Sequence, residues 1–214
     1  MIEIKNLIFQ YSGQTALNIE NLSIKDGEHV FLSGESGSGK STLLNIIAGI
    51  LNYQNGSVKV LNAELKNMKA SEKDKFRNKN IGFIFQQFNL IPYLSVIDNI
   101  VLPSKFSNTI SNKSLEQMLA KIELTNDLWD KRADKLSVGQ QQRVACIRAL
   151  YCNPSLIIAD EPTSSLDNSR QDAFLELLKN ECKNKTLLFV SHDKNLMKWF
   201  DRVVEIKDGV INDI

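Results

Sequence analysis

The stretch HVFLSGESGSGKSTLLNII, residues 29–47, joins an apolar run, a glycine-rich loop and a helical pattern. Val30, Phe31 and Leu32 form a short continuous apolar run, which is typical of a buried strand. From Lys40 onward the apolar residues recur with helical spacing. A strand, a tight loop and a helix in this order predict a βα unit, and therefore an α/β fold.

The loop itself, GESGSGKS at residues 34–41, has the pattern G-x-x-x-x-G-K-[S/T] of a phosphate-binding loop. Its glycines let the backbone approach a ligand closely, so that successive N–H groups and the N-terminal end of the next helix can surround phosphate oxygens. Lys40 adds a charge on the β- and γ-phosphates, and the Ser41 hydroxyl suits Mg²⁺. The alternative, a chance glycine-rich turn, does not explain the strand before it and the helix after it. The predicted nucleotide-binding residues of this loop are Gly34, Ser36, Gly37, Ser38, Gly39, Lys40, Ser41 and Thr42.

Two adjacent acids end a second apolar run, LIIADEP at residues 156–162. Successive side chains of a strand point to opposite faces, so Asp160 and Glu161 can have different roles. We expect Asp160 to lie near a Mg²⁺ ion at the phosphate loop, and Glu161 to act as general base or polariser for the attacking water. An acid after a strand is often only a cap or a turn residue, but its position downstream of a phosphate loop favours the catalytic role.

A histidine follows the next apolar run, FVSHD at residues 189–193. A single histidine is more often structural than catalytic. His192, however, ends the strand that comes after the Asp-Glu strand, and phosphates bind at that edge of such sheets. We therefore expect His192 to donate a hydrogen bond to the γ-phosphate, whereas His29 is given no role.

The composition is that of an ordinary globular protein, with 43% hydrophobic and 24% charged residues in a chain of 214. Lys and Arg number 26 against 25 Asp and Glu, so the formal charge of +1 gives no support to nucleic-acid binding. Cys146, Cys152 and Cys182 form no CxxC motif, and we expect reduced, buried thiols. No signal-peptide layout and no run of roughly 18 apolar residues is present, which predicts a soluble protein.

Helical patterns follow one another through residues 87–135 without a strand-like run between them. We expect one of these helices to begin at a cap, Ser111 or Ser114. The pattern predicts a helical subdomain, residues 87–151, inserted into a core formed by residues 1–86 and 152–214.

The two ends of the chain carry further β structure. MIEIKNLIFQYSG, residues 1–13, alternates apolar and polar residues, which we interpret as an edge-type strand. The tail RVVEIKDGVINDI predicts a hairpin that turns at Asp208-Gly209. We treat residues 1–214 as one domain.

The order of motifs resembles that of the ATP-binding cassette (ABC) ATPases over nearly the whole chain. In order along the chain, these motifs are the phosphate loop, a glutamine at a strand end, LSVGQ at residues 136–140, ADEP, SSLD at residues 164–167 and the strand-end histidine. The resemblance implies a P-loop NTPase core with a mostly parallel sheet, an N-terminal antiparallel β part and an inserted α-helical subdomain. It also implies ATP hydrolysis with Mg²⁺.

The resemblance assigns roles to further residues, position by position. Tyr11 matches the aromatic residue that stacks on adenine, although an ordinary strand aromatic is the alternative. Gln86 matches the glutamine that contacts Mg²⁺ or the attacking water, so the implied Mg²⁺ ligands are Ser41, Gln86 and Asp160. The positions that match the loop facing the γ-phosphate of a second chain are Ser137, Gly139, Gln140 and Asp167. Two chains are then expected to pair head-to-tail around two ATPs.

More narrowly, IGFIFQQFNLIPYLSVIDNIVLP, LSVGQQQRVACIRAL and ADEPTSSLD look like the ATPases of lipoprotein release, macrolide export and cell division of the FtsE type. This resemblance implies a separate integral-membrane permease, and a peripheral position on the cytoplasmic face of the membrane. Its coupling helix is expected near residues 86–94. The apolar residues of that region suit docking and burial equally well: Phe85, Phe88, Leu90, Ile91 and Tyr93.

Two alternative functions are weighed against transport. A soluble ABC-type ATPase acting on DNA or ribosomes usually carries two cassettes or a long coiled coil, and neither is present in this sequence. A nucleotide-binding module without turnover would not need Glu161, His192 and Lys40.

One departure from the family pattern is Val138, which stands where glycine is usual. We expect it to keep a negative φ and to leave the loop functional.

Overall fold

The computed structural model describes residues 1–106, 115–121, 124–164 and 166–214. The chain divides into two compact units, Met1–Arg77 with Lys185–Ile214, and Asn78–Asn184. This division differs in its boundaries from the predicted core and helical subdomain, and the functional assignment of those two parts stays a prediction. Within the described part of the chain, no helix combines the length and the apolar character of a membrane span.

Both strands and helices are present, and strands are the first and the last elements in chain order. The strands are β1 (Ile2–Tyr11), β2 (Gln14–Ile24), β3 (His29–Ser33), β4 (Asn55–Val60), β5 (Ala63–Glu64), β6 (Ile81–Ile84), β7 (Leu156–Asp160), β8 (Thr186–Val190), β9 (Arg202–Lys207) and β10 (Val210–Asp213). The α-helices are α1 (Lys40–Ile47), α2 (Ala70–Asn80), α3 (Val96–Val101), α4 (Leu115–Lys121), α5 (Val138–Tyr151) and α6 (Asn168–Cys182). Short 3₁₀ segments are Leu65–Asn67, Leu102–Lys105, Asn126–Leu128, Ala133–Lys135 and Lys194–Trp199.

An antiparallel sheet in the first unit has the strand order β2-β1-β4-β5. The expectation that the N-terminal strand is an edge strand is wrong, because β1 pairs with β2 on one side and with β4 on the other. Its alternation, with Ile2 and Ile4 fully buried and Glu3 exposed, instead reflects a sheet that buries one face and exposes the other. The predicted antiparallel β part is confirmed.

The strand β3 of the first unit is parallel to both β8 and β9. Every residue of β3 and of β8 is buried, as expected for central parallel strands. The N–H of Ser191, just past β8, donates to the carbonyl of Leu32 at 3.3 Å, so the loops after β3 and β8 begin at one edge. The hairpin between β9 and β10 is confirmed, with Asp208 and Gly209 at φ 50° and 77°.

The second unit contains the parallel pair β6 and β7, in which Ile84 is level with Ala159. Helix α5 packs against β6 at Gly82, where a Cβ would collide with the carbonyl of Ala149. Fully buried residues of α5, such as Val144 and Ile147, belong to the core of this unit. The C-terminal part of α5 therefore packs against β6, and the N-terminal end of the same helix carries the segment 136–140.

Helix α2 and the strands β4 and β5 escape prediction from the sequence. The α2 sequence ASEKDKFRNKN has no apolar period, and its best local signal is Glu72, which accepts from the N–H of Lys69 at 2.7 Å. The predicted caps Ser111 and Ser114 lie outside the described residues. The three cysteines are buried and form no disulfide among the described residues, as expected.

Candidate functional site

The phosphate loop of the first unit is held in a compact conformation that requires glycine. A Cβ on Gly34 would collide with the Ile206 carbonyl, and Gly39, at φ 105°, has Leu17 and Ala16 too close for a side chain. The buried ammonium group of Lys40 donates to the carbonyls of Gly34 and Glu35, both at 2.8 Å. These two hydrogen bonds hold the positive charge of Lys40 beside the backbone of the phosphate loop.

The N-terminal end of α1 opens into this loop without a side-chain cap. The N-cap residue is Gly39, which makes no side-chain hydrogen bond, and the first turn contains no acid. The hydroxyl of Ser38 is buried and has no hydrogen-bond partner among the described residues. Backbone amides without a side-chain cap and a buried hydroxyl without a partner among the described residues lie here with the buried Lys40 ammonium, and this combination fits a polyphosphate anion.

Tyr11 and His192 lie in the same unit as the phosphate loop. The Tyr11 hydroxyl is 3.5 Å from Oγ1 of Thr42, and the side chain is 51% exposed. Its ring meets Phe9 edge-on at 4.8 Å between centroids. His192 is exposed and follows Ser191, whose N–H donates to the carbonyl of Leu32 in β3. Both side chains are thus exposed on the unit that contains the phosphate loop.

The second unit holds the two acids and the glutamine. Because Ile84 is level with Ala159, the residues that follow β6 and β7, including Gln86 and Glu161, leave the sheet at one edge. Glu161 has φ 47°, in the left-handed region. This conformation costs a residue other than glycine about 1–3 kcal/mol and occurs preferentially at functional sites.

The segment 136–140 forms a capping box at the start of α5. The Ser137 hydroxyl accepts from the N–H of Gln140 at 3.3 Å, and the Ser137 N–H donates to Oε1 of Gln140 at 3.0 Å. Val138 is the first residue of the helix, is absent from the residues with positive φ, and exposes 52% of its surface. The expected negative φ at Val138 is therefore confirmed.

Asp167 has a local structural role as the N-cap of α6. Its carboxylate accepts from Oγ of Ser169 at 2.7 Å and from the N–H of Arg170 at 3.0 Å. The hydrogen bond from Ser169, followed by that from Arg170, lowers the pKa of this exposed carboxyl. The neighbouring Ser165 of the SSLD stretch lies outside the described residues.

Two side chains of α5 were missed by the sequence interpretation. The guanidinium of Arg148 donates to the carbonyls of Phe88 and Asn89, which both have positive φ, at 2.5 and 2.6 Å. It therefore fixes the turn just after Gln86.

Gln142 is buried and donates to the carbonyl of Pro162. The sequence signal for Gln142 is that it is a polar residue on the otherwise apolar side of a helix.

The predicted site residues are thus divided between the two units. The first unit holds Tyr11, the phosphate-loop residues Gly34, Ser36, Gly37, Ser38, Gly39, Lys40, Ser41 and Thr42, and also His192. The second unit holds Gln86, Ser137, Gly139, Gln140, Asp160, Glu161 and Asp167. Their individual roles in binding and catalysis stay predictions.

Comparison with known proteins places this chain among ATP-binding transport proteins. A family model described as ABC transporter matches residues 17–164. The ABC transporter ATP-binding protein MJ0796 of Methanocaldococcus jannaschii is 41% identical, over 99% of this chain and 95% of its own length. The bacitracin export ATP-binding protein BceA of Halalkalibacterium halodurans is 37% identical, over 92% of this chain and 80% of its own length.

A solved structure supports the same relationship. It is a dimeric structure of the post-hydrolysis state of the MJ0796 cassette, bound to ADP and Pi. Its TM-score to this chain is 0.89 at 38% sequence identity, and the match covers 100% of this chain and 98% of that one. The predicted family and fold class are confirmed.

Proposed function

Because the chain belongs to the ABC transporter family and is one of its ATPases, we propose that it hydrolyses ATP as a head-to-tail homodimer and thereby drives a separate membrane permease. The observation that carries this proposal is the phosphate loop, which brings together a helix start without a side-chain cap, the buried Lys40 and the Ser38 hydroxyl, for which the described residues provide no hydrogen-bond partner. These groups are suited to the phosphates of ATP.

ATP binding is the task of the first unit. The loop amides and the Lys40 ammonium hold the phosphates, and the exposed ring of Tyr11 offers a face to adenine. The residues that would hold Mg²⁺ are Ser41 of the first unit and Gln86 and Asp160 of the second, because hydroxyl, amide and carboxylate oxygens are the ligands that this ion prefers. When bound, the ion neutralises charge on the phosphate oxygens during phosphoryl transfer.

Hydrolysis requires a positioned water and stabilisation of the γ-phosphate. Glu161 accepts the proton of the water, or polarises it, and Gln86 orients the water. His192 donates to a γ-phosphate oxygen. The left-handed backbone of Glu161 supports this role, since strained backbone conformations occur preferentially at functional sites.

The second chain completes each site. Beyond its sequence neighbours and the backbone of its own helix, a Cβ on Gly139 would meet no atom of the described residues within 4 Å, so close packing does not require the glycine. The Ser137 oxygen accepts from Gln140, which leaves its O–H to donate to a γ-phosphate held by the partner. Ser137, Gly139, Gln140 and Asp167 then face the ATP of the opposite protomer.

The permease-binding surface lies on residues 90–94 of the second unit. The fully buried Asn99 fixes this loop, because its Oδ1 accepts from Ile91 N–H at 2.7 Å and its Nδ2 donates to the carbonyls of Ile91, Leu94 and Ser95. Phe88 is buried, whereas Tyr93 is 69% exposed. A rigid loop that presents an exposed aromatic side chain suits docking by a membrane protein, which would hold this chain at the cytoplasmic face.

The permease proposal is tested by isolating the tagged chain from detergent-solubilised membranes. We expect a multi-spanning membrane protein to be recovered with the parent, and its yield to fall about tenfold with Tyr93→Asp, because a charge at the centre of an apolar contact is costly. Ile50→Asp, at an apolar residue of similar character in the other unit, is the control. Recovery of ribosomes or DNA-processing proteins without a membrane protein would contradict the proposal.

A further inference from the structure

The buried amide of Gln142 makes one directed contact outside its own helix. This side chain, in the second turn of α5, exposes 3% of its surface. Its Nε2 donates to the carbonyl of Pro162 at 2.7 Å. A buried amide is stable only when its hydrogen-bonding groups are satisfied, so this contact has a fixed geometry.

The accepting carbonyl belongs to the residue directly after Glu161. The three carbonyls of this turn all accept hydrogen bonds: that of Glu161 from Ser164 N–H at 3.2 Å, that of Pro162 from Gln142, and that of Thr163 from Gln171 Nε2 at 3.3 Å. Among these donors only Gln142 lies on α5. The Gln142 side chain therefore joins the turn that contains Glu161 to this helix.

The same helix begins with the capping box of Ser137 and Gln140, five residues before Gln142. Any rotation or shift of the helix start on contact with a nucleotide moves Gln142, because the helix is a continuous hydrogen-bonded rod. Such a movement acts on the Pro162 carbonyl, in the residue that directly follows Glu161.

We propose that Gln142 is a positioning residue that sets the Glu161 carboxylate and links it to the loop 136–140. This inference rests on the proposed function, in which that loop serves the ATP of the partner and Glu161 serves the ATP of its own chain. Gln142 then makes hydrolysis at one site depend on closure of the loop at the other. It acts through Glu161 and does not touch the nucleotide.

The test is Gln142→Met, which keeps the volume and the helix preference but removes the donor. We expect kcat for ATP to fall roughly ten- to a hundredfold, since small misplacements of a reacting group have effects of this size. KM and the equilibrium affinity for ATP stay within about twofold of the parent, because the phosphate loop is untouched. Gln54→Met, at an exposed glutamine, is the matched control.

A double-mutant cycle separates positioning from general damage to the fold. When Glu161 is already replaced by Gln, adding Gln142→Met is expected to leave the residual rate unchanged. The inference would be overturned if Gln142→Met lowered the rate of the Glu161→Gln variant by the same factor as it lowers the rate of the parent. It would also be overturned if Gln142→Met alone raised KM and left kcat unchanged. Gln142→Asn, which keeps the amide but is too short to reach Pro162, provides a second variant if the methionine variant melts early. If Glu161→Gln hydrolyses ATP slowly but Gln142→Met is as fast as the parent, only this inference is contradicted. If Glu161→Gln is itself as fast as the parent, the proposed function is contradicted.

Discussion

Glu161→Gln is expected to lower the rate of ATP hydrolysis by roughly 10²–10⁴-fold, the usual contribution of a positioned general base. The amide keeps the size and the hydrogen-bonding reach of the carboxylate but cannot accept the proton of the water. Glu161 is assigned to the attacking water, and the phosphate loop of residues 34–41 is unchanged in this variant. ATP affinity should therefore stay close to that of the parent, and unhydrolysed ATP should hold the dimer together.

The measurement is single-turnover hydrolysis of labelled ATP, combined with equilibrium binding. Glu176→Gln, at an exposed glutamate of α6, removes the same charge at a distance from the turn and should leave the rate unchanged. If Glu161→Gln hydrolyses ATP as fast as the parent, the catalytic assignment is wrong.

Lys40→Ala is expected to weaken ATP binding from about thirtyfold to several thousandfold. Truncating one partner of a buried, hydrogen-bonded charge pair costs about 2–5 kcal/mol, and each 1.4 kcal/mol is a factor of ten. The loss has two parts here, because Lys40 supplies charge to the phosphates and also joins the carbonyls of Gly34 and Glu35.

The binding loss can be measured by titration calorimetry with ATP and Mg²⁺. Lys59→Ala removes an exposed lysine of the same unit and is the control, with an affinity close to that of the parent. An unchanged dissociation constant for Lys40→Ala would contradict the assignment of residues 34–41 as the phosphate loop.

The sequence was sufficient for those parts of the fold in which local pattern and chemistry agree. The glycines of residues 34–41 and the buried runs around Phe31, Ile157 and Leu188 allow few alternatives. Helix α2 could not be found in this way, because its residues are almost all polar and its start depends on Glu72 reaching back to Lys69. Likewise, alternation in β1 gives the buried face of a strand but not the number of its neighbours.

The contacts around the candidate site were harder to predict than its motifs. Gln142, Arg148 and Asn99 are polar residues whose roles depend on carbonyls that are distant in sequence or lie in irregular turns. No local period marks such partners. The left-handed φ of Glu161 is equally invisible in the sequence, since glutamate has no preference for that region.

The central claim is that each ATP is bound between two chains, and the mass of the protein with ATP tests it most directly. By multi-angle light scattering, Glu161→Gln should be a monomer without nucleotide and a dimer with ATP. Adding Ser137→Arg should leave ATP binding intact but keep the protein monomeric, because the bulky side chain blocks the loop that contacts the nucleotide of the partner. Ser71→Arg, at an exposed serine of α2, should dimerise normally. A Ser137→Arg, Glu161→Gln protein that forms the ATP-bound dimer as readily as Glu161→Gln alone would contradict the account.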